Sequence, residues 1–373
     1  MAGRIFRKII KWVFLSINII CSLVFLVACL SPFISPAKWP IIGFFSLAFP
    51  YVAVVLLLSV LFWLVAKPVI AIIPIITLLI GWQQLSVIFA VHVNNSFSNL
   101  KSDSALRVVT WNVRGFYGIT NSNYTQRRNR LEISKLIHGL DPDIVCMQEF
   151  NDRVFQGEQR NNIDLFTDNY RYYFFSRDYR TLDGKYAAGI VVFSKYPIID
   201  SIKTKYPGPD TESLLAIDIR KGEDTVRIFT THIESYRFND TDYAMIQKLK
   251  EPDAEALDAS ETLYSKMINV FKKQGEQTEI VRKQIDESPY PSVICGDFNA
   301  VPNSYTYFKI KGDRQDVFLS KSFGIGKSYD ALAPTLRIDY ILPDNHFNVN
   351  QFQMVDEALS DHHLLVSDLS LKK

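Results

Sequence analysis

The chain has 373 residues, with 41 Lys and Arg against 39 Asp and Glu and a formal net charge of +2, but the charges are unevenly spread. No acidic residue precedes Asp103, and six basic residues (Arg4, Arg7, Lys8, Lys11, Lys38 and Lys67) lie before residue 93. The remainder carries 35 basic and 39 acidic residues, a net −4 that excludes a broad electrostatic footprint for nucleic acid though not a local basic stripe. Four cysteines are too few for a disulfide framework.

Three uncharged apolar runs open the chain: Trp12 to Leu30, Trp39 to Ala66 and Pro68 to Val91. About 20 apolar residues carry a helix across the hydrocarbon core. The runs therefore predict about three transmembrane helices, a membrane anchor over residues 1–92 that contacts lipid through residues 12–91. Lys67 and Pro68 alone separate the second run from the third, which suits a helical hairpin, and Pro50 and Pro74 are tolerable within membrane helices. Arg4, Arg7, Lys8 and Lys11 precede the first run, so the N-terminus is expected in the cytoplasm. Three crossings then make a multi-pass protein with its C-terminal domain on the extracytoplasmic side. Leu26-Val27-Ala28-Cys29 also resembles a bacterial lipoprotein cleavage box, an alternative that would leave two spans and still export the domain. Residues 93–105, rich in Asn, Ser and Lys, read as a linker.

From Leu106 the pattern changes to short β-rich runs alternating with helices. Strands are expected at Leu106 to Trp111, Ile144 to Met147, Tyr172 to Phe175, Ala188 to Phe193, Ser213 to Ile219 and Val226 to Thr231. Further strands are expected at Ser292 to Cys295, Ile338 to Leu342 and Leu364 to Leu369. Ile133, Leu136, Ile137 and Leu140 form a helical stripe within Gln126 to Leu140, and Ala254 to Ile285 reads as a long charged helix. Hairpin signals at Asp183-Gly184 and Lys221-Gly222 favour two packed sheets with helices outside, in one domain over residues 106–373. Cys146 and Cys295 read as small buried hydrophobes, and Trp111, Tyr305 and Tyr307 as packing groups.

Polar clusters follow the apolar runs: Trp111-Asn112, Gln148-Glu149, Thr231-His232, Gly296-Asp297-Phe298-Asn299, Arg337-Ile338-Asp339-Tyr340 and Ser360-Asp361-His362. Strand ends hold short polar side chains rigidly, and several converging ends build one pocket. Asn, Glu and Asp oxygens are the hard ligands Mg²⁺ prefers, and two histidines offer acid–base groups near neutral pH. Singly, each cluster has a plainer reading. Gln-Glu is a solvated strand end, Thr-His a loop histidine, Asp-Phe-Asn a helix-capping turn, and His363 beside His362 is structural.

Together, in order and spacing, the clusters resemble the endonuclease/exonuclease/phosphatase superfamily, which includes pancreatic-type deoxyribonuclease, neutral sphingomyelinases and inositol-polyphosphate 5-phosphatases. The resemblance spans roughly residues 105–370 and is carried most specifically by Gly-Asp-Phe-Asn and Ser-Asp-His. Gly189 to Lys195 and Pro197-Ile198 look like its middle strand. It implies an α/β fold, a four-layer sandwich of two packed, mostly antiparallel sheets flanked by helices. It implies Glu149 as main metal ligand with Asn112 and Asp361 nearby, Asp297 and Asn299 orienting water and phosphoryl oxygens, His362 as base or donor held by Asp339, and His232 as second catalytic imidazole. Abasic-site endonucleases of the superfamily carry an acid where this chain has Arg114, and lack the Thr-His histidine. Both departures point away from abasic-site repair. Arg114 suits phosphate binding or a surface salt bridge.

The resulting expectation is a monomeric, membrane-anchored phosphoric ester hydrolase using Mg²⁺ or Mn²⁺ and in-line attack of water. A lipid headgroup, a nucleic acid or a small phosphate would each serve as substrate. A membrane-tethered nuclease and an inactive binding module of the same fold are the alternatives.

Overall fold

The computed structural model describes residues 2–93, 96–119, 123–208, 212–248, 254–331 and 333–372. Asn94 and Asn95 of the expected linker lie outside the described residues. Three helices come first, α1 (Ala2–Ala28), α2 (Ile42–Ala66) and α3 (Pro68–Ile80). There follow β1 (Leu106–Asn112), α4 (Asn123–Leu140), β2 (Ile144–Arg153), β3 (Tyr172–Phe175), β4 (Tyr186–Ser194), β5 (Ile198–Lys205), β6 (Ser213–Lys221) and β7 (Asp224–His232). The chain continues through α5 (Asp240–Lys248), α6 (Ala254–Asp286), β8 (Ser292–Asp297), α7 (Tyr305–Lys311) and α8 (Val317–Lys321). It closes with β9 (Asp339–Pro343), β10 (Phe347–Val355) and β11 (Leu364–Leu371).

One sheet runs β10-β11-β1-β2-β4-β3, and the other β9-β8-β7-β6-β5. Pairing is antiparallel except for β1 with β2 and β7 with β8. Each parallel pair needs a crossover. The α4 helix supplies one, and α5 with α6 the other.

Alternation along the strands decides the layers. Val108, Cys146 and Val192 point inward from the first sheet and meet Ile217, Ile228 and Cys295 of the second. Their neighbours Val109, Val145 and Phe193 point outward onto Ile133, Ile137 and Leu140 of α4. On the far side Phe229, Ile294 and Leu342 pack beneath Val281 and Ile285 of α6. The result is helix, sheet, sheet, helix, the four-layer sandwich.

The α1 and α2 helices pack antiparallel, with Phe14 on Phe62 and Phe25 on Phe49 at ring separations of 4.8 and 4.7 Å. Lys8 and Lys11 thus lie at the same end as Lys67, and the folded domain meets the opposite end. There Asn303 donates to the Ser46 carbonyl (3.0 Å), and Phe44 stacks on Tyr264 (5.4 Å). Gly43 faces the Phe271 ring so closely that a Cβ would come within 2.6 Å of it.

The third apolar run is not one helix of full spanning length. Its helix has 13 residues, roughly 20 Å at the α-helical rise, against about 30 Å of hydrocarbon. Past Gly81 a short helix, Trp82–Leu85, still packs on the anchor, where Gln84 donates to the Cys29 carbonyl (3.0 Å). The chain then enters the folded domain: Val87 joins the core beneath the second sheet, its carbonyl accepts from Arg337 (2.8 Å), and Ala90–Val91 pairs with Phe323–Gly324. Among the described residues two helices, not three, have the length and apolarity to cross a membrane. The stretch read as a linker lies along the domain, where Arg107 donates to the carbonyls of Ser98 and Asn99.

Candidate active site

The polar clusters converge because of strand register. In the parallel pair β7/β8, His232 lies directly beside Asp297, and in the antiparallel pair β8/β9 Asp297 lies beside Asp339. Gly296 permits this crowding: its φ is +133°, and a Cβ there would overlap the Thr231 carbonyl oxygen. In the first sheet, β1 and β2 run in register to Asn112 and Gln148. Register then shifts between Met147 and Phe150, with Glu149 at φ +50°. Such a bulge re-aims a side chain. It leaves the Glu149 carboxylate 38 % exposed at the cleft, while Gln148 is buried and donates to Thr110 and Thr230 (3.1 and 3.0 Å). His362 arrives just ahead of β11. Ser360 donates to the Asn112 carbonyl (2.7 Å), and the Trp111 indole donates to the His362 carbonyl (2.8 Å).

Asp297 is the hub. Its Oδ1 accepts from the Asn299 N–H (2.8 Å), and its Oδ2 accepts from Asn112 Nδ2 (3.1 Å). The same Oδ2 lies 3.5 Å from His232 Nε2 and 3.6 Å from His362 Nε2. Asn112 also donates to Glu149 (3.0 Å). Each imidazole has a carboxylate behind it: His362 Nδ1 meets Asp339 at 3.0 Å, and His232 Nδ1 meets Glu212 at 2.9 Å. Asp339 is itself fixed by the Ser328 hydroxyl (2.7 Å).

Burial lowers the proton affinity of both histidines, but the surrounding carboxylates outweigh it. Glu212, Asp297 and Glu149 push His232 up to about 10, and Asp339 and Asp297 push His362 up to about 10. Both rings are therefore cationic donors at neutral pH. Burial and the nearby Asp339 raise Asp297 to about 6 against the pull of the two imidazoles. It is ionised at neutral pH and still basic.

A cleft of about 630 Å³ holds Arg114, Glu149, His232, Asp297, Asn299, Asp361 and His362, with Asn112 and Asp339 behind them. All eight residues singled out from the sequence thus come to one edge of the paired sheets. Asp361 pairs with Arg114 (3.3 Å). His363 turns away, toward Asp330 and Asp356 (3.2 and 3.5 Å). Sequence reasoning missed Glu212, Ser328 and Tyr329, whose ring lies 4.7 Å from that of His362. All three come from loops or loop edges without periodicity, where only proximity in space marks them.

The residues fit a divalent cation. Burial raises the Asp361 pKa against the pull of His362 and Arg114, and the Glu149 charge adds to the rise, so a cation between the two carboxylates relieves their repulsion. His232 Nε2 is buried without a hydrogen-bond partner among the described residues; as a nitrogen of a cationic ring it is left for an anionic oxygen and not for the metal. Asn112 as placed turns its amide nitrogen to Glu149, while its oxygen accepts from the Arg114 N–H (3.0 Å). A second cluster of potential ligand atoms, Asp297, Asp339 and His362, is already engaged internally through the His362–Asp339 pair.

A model described as the Endonuclease/Exonuclease/phosphatase family matches residues 109–362, and one described as a domain of unknown function matches residues 8–88. No curated protein sequence matches the chain. Among solved structures it is similar to an endonuclease/exonuclease/phosphatase from Beutenbergia cavernae DSM 12333, at 21% identity and TM-score 0.49, over 72% of each chain. The human Nocturnin catalytic domain with bound sulfate is 15% identical at TM-score 0.49, over 72% of this chain and 94% of that one. Truncated Caenorhabditis elegans TDP2 is 16% identical at 0.48, over 71% and 98%.

Proposed function

The chain belongs to the endonuclease/exonuclease/phosphatase family, and from that premise we propose that it is a membrane-anchored, Mg²⁺- or Mn²⁺-dependent hydrolase of phosphate esters. The observation that carries this reading is the Asp297 carboxylate set between two cationic imidazoles at 3.5 and 3.6 Å. Asp297 accepts the proton of the attacking water, for which a group near neutrality is best matched. The Asn299 N–H holds one Asp297 oxygen and Asn112 Nδ2 the other, which fixes the carboxylate at the cleft between the two imidazoles. His362, kept charged by Asp339, and His232, kept charged by Glu212, donate to the phosphoryl oxygens and the departing oxygen. The water oxygen–phosphorus bond forms, the phosphorus–alkoxide bond breaks, and one imidazolium proton leaves with the alcohol. Glu149 and Asp361, with Asn112 beside them, would hold the metal, whose charge stabilises the phosphoryl and leaving oxygens. An inactive binding module is disfavoured, because every group of this relay is present and in reach.

Two lengths and one surface support the membrane anchor. The α1 and α2 helices have 27 and 25 residues, and their outer faces expose Ile20, Leu23, Leu57, Leu61 and Val65, a patch larger than a soluble monomer carries. Lys8, Lys11 and Lys67 lie at the end opposite the folded domain, which supports a cytoplasmic N-terminus. An extracytoplasmic site requires in addition that the 13-residue α3, continued by the Trp82–Leu85 turn, carries the chain back across. The test is turnover by the full chain in detergent on lipid, nucleic-acid and small phosphate esters. Hydrolysis that requires Mg²⁺ or Mn²⁺ supports the reading, and full activity in excess chelator refutes it.

A further inference from the structure

The catalytic cleft has a wall that the catalytic domain does not supply. Leu47 and Tyr51 of α2 line the same cleft as His232, Asp297 and His362. That wall is built in: the Tyr51 hydroxyl lies 3.2 Å from the Thr335 hydroxyl, within about two turns of the Ser46 and Phe44 contacts.

Along α2 the residues Leu47, Tyr51, Val54, Leu58 and Leu61 recur at intervals of four and three, which places them on one helix face. Exposure rises along that face, from half-buried Leu47 through Tyr51 at 48%, Val54 at 54% and Leu58 at 59% to Leu61 at 61%. An unbroken apolar stripe therefore leads from the phosphate-handling groups out onto the lipid-facing side of the anchor. Tyr236, Phe238 and Met267 add further apolar lining to the same cleft. Arg114 stands at the inner end beside His232 and His362, and Arg237 lines the cleft between Tyr236 and Phe238.

Resting on the hydrolase and anchor reading above, we infer that the substrate is a membrane amphiphile, a phosphate ester with a long apolar chain that enters sideways from the bilayer along α2. The phosphate lies between Arg114, His232 and His362, and the chain lies along Leu47 and Tyr51. A cleft of about 630 Å³ is in the range of pockets that take up much of a small molecule. The net negative charge of the folded part and the apolar wall both disfavour a polynucleotide.

The test uses the full chain in mixed micelles and a series of para-nitrophenyl alkyl phosphate diesters from ethyl to hexadecyl. The expected result is that kcat/KM for hexadecyl exceeds that for ethyl by more than about tenfold, since each buried methylene adds affinity. Leu47→Asn and Tyr51→Ala should bring that ratio to within about threefold of unity, while Ile76→Ser on the outer face of α3 should preserve it. A ratio of two rates does not depend on how much of a variant is folded. A wild-type ratio near one, or one that Leu47→Asn and Tyr51→Ala both preserve, overturns the inference and leaves the hydrolase reading standing. Faster cleavage of DNA than of the hexadecyl ester overturns it in favour of a nuclease. No turnover on any phosphate ester with Mg²⁺ or Mn²⁺ overturns the hydrolase reading itself.

Discussion

Replacing Asp339 by asparagine keeps the outline of its pair with His362 and removes the charge. The two groups meet at 3.0 Å, with Asp339 held in place by Ser328. Opposite charges at that separation attract by about 5 kcal/mol at an effective dielectric near 20, which corresponds to roughly a thousandfold or greater change in proton affinity. His362, now raised to about 10, should fall toward neutrality, because burial of the ring then faces less opposition. The amide also cannot enforce the present Nδ1–H arrangement. We expect Asp339→Asn to lower kcat by about 10² to 10⁴, the range for a positioned acid or base and its orienting partner. The alkaline limb of the rate profile should move down from near 10. The assay is hydrolysis of a chromogenic phosphate ester by the full chain across pH, with a thermal melt showing that the variant is folded. A folded Asn variant with undiminished kcat and an unmoved alkaline limb would refute the reasoning.

Further outcomes follow from the same geometry. His232→Ala and His362→Ala should each lower kcat by about 10² to 10⁴, whereas His363→Ala, whose ring faces Asp330 and Asp356, should change it little; steady-state rates check this. In chelator, the stability contributed by the two raised histidines is complete below about pH 6.5 and is lost as pH rises toward 10. The melting midpoint should fall over that window, and fall less in Asp339→Asn. Gly296→Ala forces a Cβ onto the Thr231 carbonyl at a φ of +133°. It should cost about 3 kcal/mol, or roughly 6–12 °C in the melting midpoint. Protease added to intact spheroplasts should cut the 237–287 stretch without breaking the inner membrane, and cutting only after lysis would place the domain in the cytoplasm.

Much of the site was legible because each element of it ends an apolar run. Asn112, His232 and Asp297 are terminal residues of buried strands, and a change from apolar to polar residues is visible in one dimension. Glu149 was legible for a different reason: it follows a buried strand in sequence, although the chain continues as strand past it through a bulge. Glu212 and Ser328 were not legible, since they act only through the residues they touch, His232 and Asp339. The edge strand β5 escaped notice because none of its residues is buried and Ile199 and Ile202 both face solvent, so no apolar alternation marks it. The third apolar run was misread because membrane-facing and core-facing segments share one composition. Val87 and Ala90 look like a span in sequence and lie in the core of the folded domain. The seam that brings Tyr51 to the cleft depends on Gly43 and Asn303, 260 residues apart, and no local pattern reports it.

The central claim is that the edge shared by the two sheets directs a water molecule onto phosphorus. It is tested most directly by running the reaction in water enriched in the heavy oxygen isotope and following the products by phosphorus NMR and mass spectrometry. The account predicts one heavy oxygen in the phosphate product and none in the released alcohol, with Asp297→Asn abolishing incorporation and wild type in chelator showing none. Heavy oxygen in the alcohol, or undiminished incorporation by Asp297→Asn, would contradict it.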